Sequence, residues 1–331
     1  MTKYVMITGG AGLIGSNICK LLVKEGKYTP LVVDIFVNYI NPTKNKKDDS
    51  WYHRFEGIAD KVVMRRANCS DYSVVYDLLK KYKPEYIIHL AALPLAKMSD
   101  TSPHEFKEGP ISATSVLLHA VHKLKEEGSD FLKKFVYTSS SMVYGHFEQD
   151  PAPEDHPTRP MSLYGTYKLA GENITQGLCK TYGLNYAIIR PSAVYGPTDL
   201  NRRVSQIFVE NAIHGKTLKI IGGDKEILDF SYVTDVAEGF LLTTLSEVNN
   251  EIFNITGGDP RSLLDFANIV KEYFPEVNLE IMGRDESRPI RGGLDISKAR
   301  KLLNYNPKFK LEEGIKVYLD FLLEKNGNSS V

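Results

Sequence analysis

Tyr164 and Lys168 lie four residues apart, in a segment whose pattern predicts a helix over 164–182. Positions i and i+4 share one face of a helix, so the phenol and the ammonium would be neighbours. A phenol has a pKa of about 10 and is a poor base at neutral pH unless its anion is stabilised. An ammonium about 4 Å away contributes roughly 4 kcal/mol to that anion at an effective dielectric of about 20. The pair could therefore take a proton from a hydroxyl as hydride leaves the same carbon.

A run of hydroxyl side chains distinguishes this pair from a second one with the same spacing. Tyr76 and Lys80 also lie four residues apart, so the spacing alone identifies no site. Before Tyr164, however, a predicted strand over 135–139 ends in consecutive hydroxyls that continue through Ser141. Ligands bind beyond the carboxyl ends of strands in open α/β sheets, where such a hydroxyl can hold a substrate oxygen. A turn built from serines is the alternative.

A glycine-dense turn lies near the start of the chain, between a predicted strand over 4–8 and an apolar helix. Without Cβ atoms the backbone can approach a diphosphate, and the N–H groups at the helix start face that anion. The next predicted strand ends at Asp34, about 20 residues on, where dinucleotide sites place an acid that hydrogen-bonds a ribose 2′-hydroxyl. Because Asp34 would repel a 2′-phosphate, the pattern predicts NAD rather than NADP. A plain strand–helix turn is the alternative.

Strand and helix patterns alternate through the first half of the chain, which is typical of a doubly wound parallel sheet. Further strands are predicted over 61–64, 86–90 and 186–190, and helices over 72–82, 111–126, 204–214, 234–245, 263–273 and 311–323. We therefore predict an α/β fold with a Rossmann-type NAD-binding domain over 1–198 and a smaller C-terminal α/β lobe over 199–325. The segment near 228–256 is expected to contribute to the first domain, and 326–331 to form a tail.

A long polar loop over 41–49 interrupts this alternation after the second strand. It is interpreted as a solvated loop. The alternative is that Trp51 with Tyr52, just beyond this loop, covers the cofactor or a neighbouring subunit.

Composition narrows the class of protein. The 41 Lys and Arg balance 41 Asp and Glu, so no global field attracts nucleic acid or an anionic membrane. Cys19, Cys69 and Cys179 lie far apart without metal-ligand spacing, which favours reduced thiols and no metal site. The chain begins with a core strand and has no long apolar run, so we expect no signal peptide, no membrane span and a cytoplasmic location.

With these elements in place, the chain resembles the extended short-chain dehydrogenase/reductase family, and in particular its nucleotide-sugar epimerases and dehydratases. The resemblance covers nearly the whole chain. The segments that carry it are 8–15, Asp34, 89–92, 139–145, Tyr164 with Lys168, 190–197, 229–235 and 295–299.

The resemblance implies a role for each site residue. Tyr164 would be the base, Lys168 would lower the pKa of this tyrosine and bind the nicotinamide ribose, and Ser140 would be the catalytic hydroxyl. Ser140 and Tyr164 would also contact the substrate. Asn68 and Cys69 would flank the adenine. The other implied NAD contacts are Gly9, Gly12, Leu13, Ile14, Gly15, Asp34, Leu90, Ala91, Ala92, Ser139 and, near the nicotinamide, Pro191.

Arginines are the candidate partners of a substrate diphosphate. By charge and rough position these are Arg203 and either Arg288 or Arg291, with solvated arginines as the alternative. His89, which ends an apolar strand, is interpreted as a packed structural histidine rather than a general base. Cys69 is interpreted as a small apolar filler rather than a reactive thiol.

Two positions beside Ser140 bear on the type of reaction. In the family, 4,6-dehydratases carry an acidic pair just before Val-Tyr-Gly, and glucuronate decarboxylases carry a Glu there, because elimination of water needs an acid and a base. This chain has Ser141 and Met142. The resemblance then implies a 4-epimerase of a nucleotide-diphosphate sugar: hydride passes to NAD, the keto sugar rotates, and hydride returns to its other face.

The sequence leaves other activities open and differs from the usual family residues at three positions. The alternatives are a nucleotide-sugar 4-dehydrogenase or ketoreductase, and a non-catalytic dinucleotide-binding regulatory module. Pro110 stands where the family usually has Asn and is expected to begin its helix. Ala193 replaces a common phosphate-contacting Asn, and Leu228 replaces a common Arg.

Family members dimerise through two helices per subunit, here 111–126 and 164–182, so a homodimer is expected, without nucleic-acid or membrane partners.

Overall fold

Seven parallel strands form the centre of the protein in a computed structural model that describes residues 2–37, 50–93 and 103–327. The strands are β1 (Tyr4–Thr8), β2 (Thr29–Asp34), β3 (Val63–Arg66), β4 (Tyr86–His89), β5 (Lys134–Thr138), β6 (Tyr186–Pro191) and, from later in the chain, β11 (Glu251–Ile255). Their order in the sheet is β3-β2-β1-β4-β5-β6-β11. The first six follow the doubly wound order of dinucleotide-binding sheets, which confirms the predicted Rossmann-type α/β fold.

Helices pack on both faces of this sheet and against the elements that follow it. They are α1 (Leu13–Glu25), α2 (Ser50–Phe55), α3 (Tyr72–Tyr82), α4 (Pro103–Lys107), α5 (Thr114–Glu126), α6 (Leu163–Tyr182), α7 (Val204–Ile213), α8 (Val233–Leu245), α9 (Leu263–Tyr273), α10 (Ser297–Leu303) and α11 (Leu311–Gly327). Helices α1, α8 and α10 pack into one apolar cluster, and α3, α5 and α6 into another. Because both faces are buried, the strands are nearly continuous apolar runs such as Val5-Met6-Ile7.

Short elements beyond β6 belong to a third apolar cluster, separate from the two that flank the central sheet. The strands are β7 (Val194–Tyr195), β8 (Leu218–Ile221), β9 (Ile227–Asp229), β10 (Ser231–Tyr232), β12 (Pro260–Ser262) and β13 (Leu279–Met282). They pair as β7 with β10, β8 with β13 and β9 with β12. Phe208, Phe230, Phe266 and Ile315 are buried in the cluster, which brings α7, α9 and α11 together. The division of the chain at residue 198 stays a prediction.

The helix that contains Pro110 differs from the prediction. It does not begin at Pro110: α4 precedes it, and a π-helical turn over Glu108–Ala113 joins α4 to α5. Proline has no N–H to donate to the preceding turn, and a widened turn accommodates that loss. Within this turn the Thr114 hydroxyl donates to the Pro110 carbonyl over 2.8 Å.

Two other predictions concern the start of strand β3 and the segment over 41–52. Strand β3 begins two residues later than predicted, because Ala59–Lys61 form a short 3₁₀ turn. The polar loop over 41–49 and the side chains of Trp51 and Tyr52 lie outside the described part of the structure, so both the solvated loop and the covering role of Trp51 and Tyr52 stay predictions. Among the helices of the described ranges, none combines the length and apolar character needed to cross a bilayer.

Candidate active site

Every site residue predicted from the sequence lines one cleft of about 1780 Å³ at the carboxyl edge of the central sheet. The cleft extends from the glycine turn to the second group of elements. Its lining includes Gly9, Gly12, Leu13, Ile14, Gly15, Asp34, Asn68, Cys69, Leu90, Ala91, Ala92, Ser139, Ser140, Tyr164, Lys168, Pro191, Arg203, Arg288 and Arg291. The fold therefore brings together residues that lie up to 282 positions apart in the printed sequence.

The glycine turn fits a dinucleotide because its backbone is packed where side chains would lie. Gly9 has φ +65°, and a Cβ on it would lie 2.8 Å from the Ala91 nitrogen. A Cβ on Gly15 would lie 2.6 Å from the Cα of Gly10. Helix α1 begins directly after Gly12, so its first N–H groups lack intrahelical partners at the cleft. This bare backbone and helix start suit a diphosphate.

Asp34 lies at the end of β2 beside this turn, as predicted. Its carboxylate accepts hydrogen bonds from the Ala11 N–H at 3.1 Å and from the Phe36 N–H at 2.9 Å. Each oxygen keeps a further lone pair that can accept a ribose hydroxyl. Burial raises the pKa of Asp34, and these two N–H donors and the nearby Arg54 act in the opposite direction.

Arg54 is a component of the cofactor end that sequence analysis missed. It is 7% exposed and donates to the Ala11 carbonyl at 2.8 Å and to the Thr198 carbonyl at 2.7 Å. The Ala11 peptide is thus held by Asp34 at its N–H and by Arg54 at its carbonyl. Arg54 thereby ties the glycine turn to the segment that leads into α7.

Tyr164, Lys168 and Ser140 meet at the start of α6. Ser162 caps this helix by accepting from the Gly165 N–H at 3.1 Å, which sets where Tyr164 enters the cleft. The Lys168 Nζ lies 5.8 Å from the Tyr164 ring centroid and donates to the Thr138 carbonyl at 2.8 Å. The Ser140 hydroxyl accepts from the Met142 N–H at 3.2 Å and lies close enough to the Tyr164 phenol to lower the pKa of that phenol.

The electrostatics of this cluster differ in detail from the expectation. Burial raises the pKa of Tyr164, whereas the Arg203 charge and the Ser140 hydrogen bond act to lower it. Burial also lowers the pKa of Lys168 to about 7, against the opposing charge of Glu172. In the described structure Arg203 is therefore the cation that favours the phenolate, and the role of Lys168 in lowering the pKa of Tyr164 stays a prediction.

Ser139 faces a buried ion pair that sequence analysis also missed. Its hydroxyl donates to a Glu172 carboxylate oxygen, and Arg190 binds the same carboxylate through Nε at 2.8 Å and Nη2 at 2.7 Å. Two signals were visible in the sequence: Glu172 follows Lys168 by four residues, and Arg190 directly follows the apolar pair Ile188-Ile189. A charge in a strand that is buried on both faces requires a partner.

The three candidate arginines differ in their surroundings. Arg203 donates to the Val194 carbonyl at 2.9 Å and lies close enough to Tyr164 to act on its charge. Arg288 is 51% exposed and pairs with Asp285 at 3.1 Å. Arg291 contacts the Met142 sulfur at 3.3 Å, and its buried Nε has no hydrogen-bond partner among the described residues. An unsatisfied guanidinium on a cleft wall is suited to an anionic ligand.

The remaining positions behave as small or structural groups. Ala193 and Leu228 line the cleft with apolar side chains. The Ser141 hydroxyl donates to that of Ser192 at 3.2 Å. Because the residue is a serine, this position offers no carboxylic acid. His89 is buried with both ring nitrogens engaged, to the Thr8 hydroxyl at 2.6 Å and the Gly109 carbonyl at 3.0 Å, and burial lowers its pKa to about 4. This geometry confirms His89 as a structural histidine.

A dinucleotide cradle and a phenol–amine–hydroxyl cluster that open onto one cleft define the extended short-chain dehydrogenase/reductase class. The comparison with known families agrees and is more specific. The profile of the NAD dependent epimerase/dehydratase family matches residues 5–256, and the chain belongs to this family. Its cofactor is accordingly NAD.

Individual relatives cover almost the entire chain. The chain is 30% identical to a putative UDP-glucose 4-epimerase of Methanocaldococcus jannaschii, over 98% of this chain and 99% of that protein. The structure resembles UDP-glucuronic acid 4-epimerase from Bacillus cereus, solved with UDP-glucuronic acid and NAD, with a TM-score of 0.85 and 25% identity over 97% and 99% of the two chains. It also resembles the UDP-glucose 4-epimerase of Thermotoga maritima, solved with UDP-glucose, with a TM-score of 0.84 and 27% identity over 98% and 99%. The chain is therefore an NAD-dependent sugar-nucleotide enzyme.

Proposed function

We propose that the protein is a nucleotide-sugar 4-epimerase in which Tyr164 is the base. The observation that carries the proposal is the cluster of Ser140, Tyr164 and Lys168 beside the glycine turn, with Ser141 and Met142 at the positions where a dehydratase needs acids. Bound NAD supplies a reversible hydride acceptor in this cleft. Because a 4-epimerase recovers that hydride, the cofactor is regenerated in each cycle.

Residues of the chain hold the substrate, transfer the proton and stabilise the phenolate. Ser140 holds the reacting sugar oxygen next to the Tyr164 phenol, whose pKa the Ser140 hydroxyl acts to lower. Tyr164 takes the hydroxyl proton as the carbonyl forms and gives it back when the carbonyl is reduced. Arg203 and Lys168 supply positive charge near the phenolate. Lys168 also binds the nicotinamide ribose in this proposal.

The substrate proposed is a nucleoside diphosphate sugar. Arg203 and Arg288 are the proposed diphosphate partners, and Arg291 is an additional candidate because of its unsatisfied Nε. Relatives that are described as acting on UDP-glucose and UDP-glucuronic acid make uridine diphosphate sugars the first compounds to test. The lobe over 199–325, which contains these arginines, is proposed to bind the substrate.

An absorbance measurement separates this function from its nearest rival. We expect the purified protein to interconvert C4 epimers without added NAD and without a net rise in the absorbance of reduced nicotinamide, because the hydride returns to the sugar. A 4-dehydrogenase would instead accumulate reduced cofactor in proportion to product, and a ketoreductase would consume it. A rise or a fall in reduced cofactor that is stoichiometric with product would contradict the epimerase. Heat-inactivated protein is the control.

We also propose a homodimer that works in the cytoplasm. Helices α5 and α6, which the family resemblance assigns to the interface, lie side by side, and His122 of α5 stacks on Tyr182 of α6 with ring centroids 4.0 Å apart. The free state of Cys19, Cys69 and Cys179 is compatible with a reducing compartment. Gel filtration with light scattering is expected to give twice the mass of the chain. A monomer at micromolar concentration would contradict the dimer.

A further inference from the structure

Glu172 and Arg190 form an ion pair directly behind the candidate catalytic side chains. Tyr164, Lys168 and Glu172 follow one another at intervals of four residues, so they form a row along one face of α6. Tyr164 and Lys168 line the cleft, whereas Glu172 and Arg190 do not. Their side chains are 1% and 3% exposed. The pair is therefore placed to act on the site without touching a ligand.

The hydrogen bonds of this pair occupy both carboxylate oxygens. One oxygen accepts from Arg190 Nε at 2.8 Å and from the Ser139 hydroxyl, and the other accepts from Arg190 Nη2 at 2.7 Å. The remaining guanidinium nitrogen donates to the Tyr144 hydroxyl at 3.0 Å and to the Glu154 carbonyl at 2.8 Å. Apolar side chains of similar volume often replace a buried ion pair with little loss of stability. Stability alone therefore does not account for these charges.

Two catalytic groups depend on this carboxylate through short connections. Ser139, whose hydroxyl donates to Glu172, directly precedes Ser140, which lines the cleft with Tyr164 and acts on the pKa of its phenol. Lys168 donates to the Thr138 carbonyl and has no carboxylate in ion-pair contact among the described residues. The carboxylate that acts on its charge is that of Glu172, one helical turn away.

We propose that Glu172, oriented by Arg190, is a positioning residue for the reaction: its carboxylate favours the protonated form of Lys168 and fixes Ser139, and thereby Ser140, against Tyr164. The inference rests on the proposed function, because that function assigns Lys168 and Ser140 to the chemistry. Neither Glu172 nor Arg190 contacts substrate or cofactor in this account.

The sign of the pH effect follows from the groups that face Lys168. These are Tyr164 and Glu172 on α6, Tyr137 on β5, His89 on β4 and, beyond Glu172, Arg190 on β6. Burial lowers the pKa of Lys168 to about 7, and Glu172 is the charge that opposes this change. Glu172→Gln removes the opposing charge and leaves the Arg190 cation uncompensated. Lys168 then loses its proton at a lower pH.

The test measures how turnover by the NAD-loaded enzyme depends on pH, in the wild type and in Glu172→Gln. In Glu172→Gln we expect the alkaline limb of kcat to move toward acid by about one pH unit or more, the effect of one charge at short range. KM is expected to change by less than about threefold, since no substrate contact is removed. Glu154→Gln, which removes another partly buried carboxylate bonded to the same network through the Asn254 N–H at 2.9 Å, is the matched control and should keep the wild-type profile.

Two further measurements keep the test independent of activity and of folding failure. The Lys168 methylene signals in ¹³C-lysine-labelled protein, assigned with Lys168→Arg, should titrate at lower pH in Glu172→Gln than in the wild type. The double variant Glu172→Gln/Arg190→Met removes both charges, so its shift should be smaller than that of the single variant. If the single variant does not fold, the double variant is compared with the wild type instead, and its Lys168 titration should still move to lower pH, because Glu172 is the charge that acts directly on Lys168.

Distinct outcomes overturn the inference and the function on which it rests. If Glu172→Gln lowers thermal stability but keeps the wild-type pH profile and Lys168 titration, Glu172 is only structural. A double variant that shifts at least as far as Glu172→Gln would also contradict the inference. If instead Tyr164→Phe, measured in parallel, retains turnover, the proposed function itself fails.

Discussion

Tyr164→Phe is expected to lower kcat by about 10²–10⁴-fold, the usual contribution of a general acid–base group. The variant removes the phenolic hydroxyl, which lies in the cleft beside Ser140, and keeps the ring, whose centroid lies 5.8 Å from the Lys168 Nζ. NAD content and melting temperature are expected to stay close to those of the wild type. The measurement is the rate of C4 inversion by NMR, together with NAD released on denaturation.

Tyr76→Phe is the matched control for this prediction. Tyr76 and Lys80 have the same spacing on α3, and the Lys80 Nζ lies 5.4 Å from the Tyr76 ring centroid. The Tyr76 hydroxyl donates to Glu127 on the surface and lines no part of the cleft. This variant should turn over at the wild-type rate. Turnover by Tyr164→Phe within about threefold of the control would remove Tyr164 from its proposed role.

Gly9→Ala is expected to lower NAD affinity by about 100-fold or more, equivalent to a loss of about 3 kcal/mol. Gly9 has φ +65°, which costs an L-residue roughly 1–2 kcal/mol, and the new Cβ would lie 2.8 Å from the Ala91 nitrogen. Ala91 itself lines the cleft, so a backbone shift that relieves this clash moves part of the wall against which NAD would bind. Cofactor content after purification and titration of the stripped protein with NAD measure the effect.

Gly26→Ala separates backbone strain from the clash. Gly26 has φ +76° at the end of α1, but a Cβ there would meet no atom within 4 Å. The strain is therefore comparable, and only a loss of stability of about 1 kcal/mol is expected. NAD affinity should be unchanged. Equal NAD affinity in the two alanine variants would show that the close approach at Gly9 does not form the cofactor site.

The parts of the site that the sequence predicts are those encoded within a few residues. The glycine turn is recognisable because strand, glycines and helix follow one another directly, and Asp34 lies at the end of the next strand. Tyr164 and Lys168 are recognisable because a helix converts their spacing into proximity. Parallel pairing then brings the ends of these strands to one edge, which is why these residues share a cleft.

The parts that the sequence does not predict depend on distant contacts. Arg54 bonds to carbonyls of Ala11 and Thr198, and neither partner carries a side-chain signal for such a bond. Glu172 and Arg190 lie on different elements, and their pairing becomes evident only when α6 packs against β6. At Pro110 the residue type indicates a break in the helix, but whether the helix starts there or widens into a π turn depends on its packing.

In the proposed function, one cleft removes hydride from sugar C4 and returns it to the opposite face. The most direct measurement incubates the purified protein with UDP-glucose or UDP-glucuronic acid deuterated at C4, in unlabelled water and without added NAD, and identifies the product by NMR. We expect a C4-inverted sugar that retains deuterium at C4. A 4-keto-6-deoxy product, or an inverted sugar that has lost the deuterium, would contradict it.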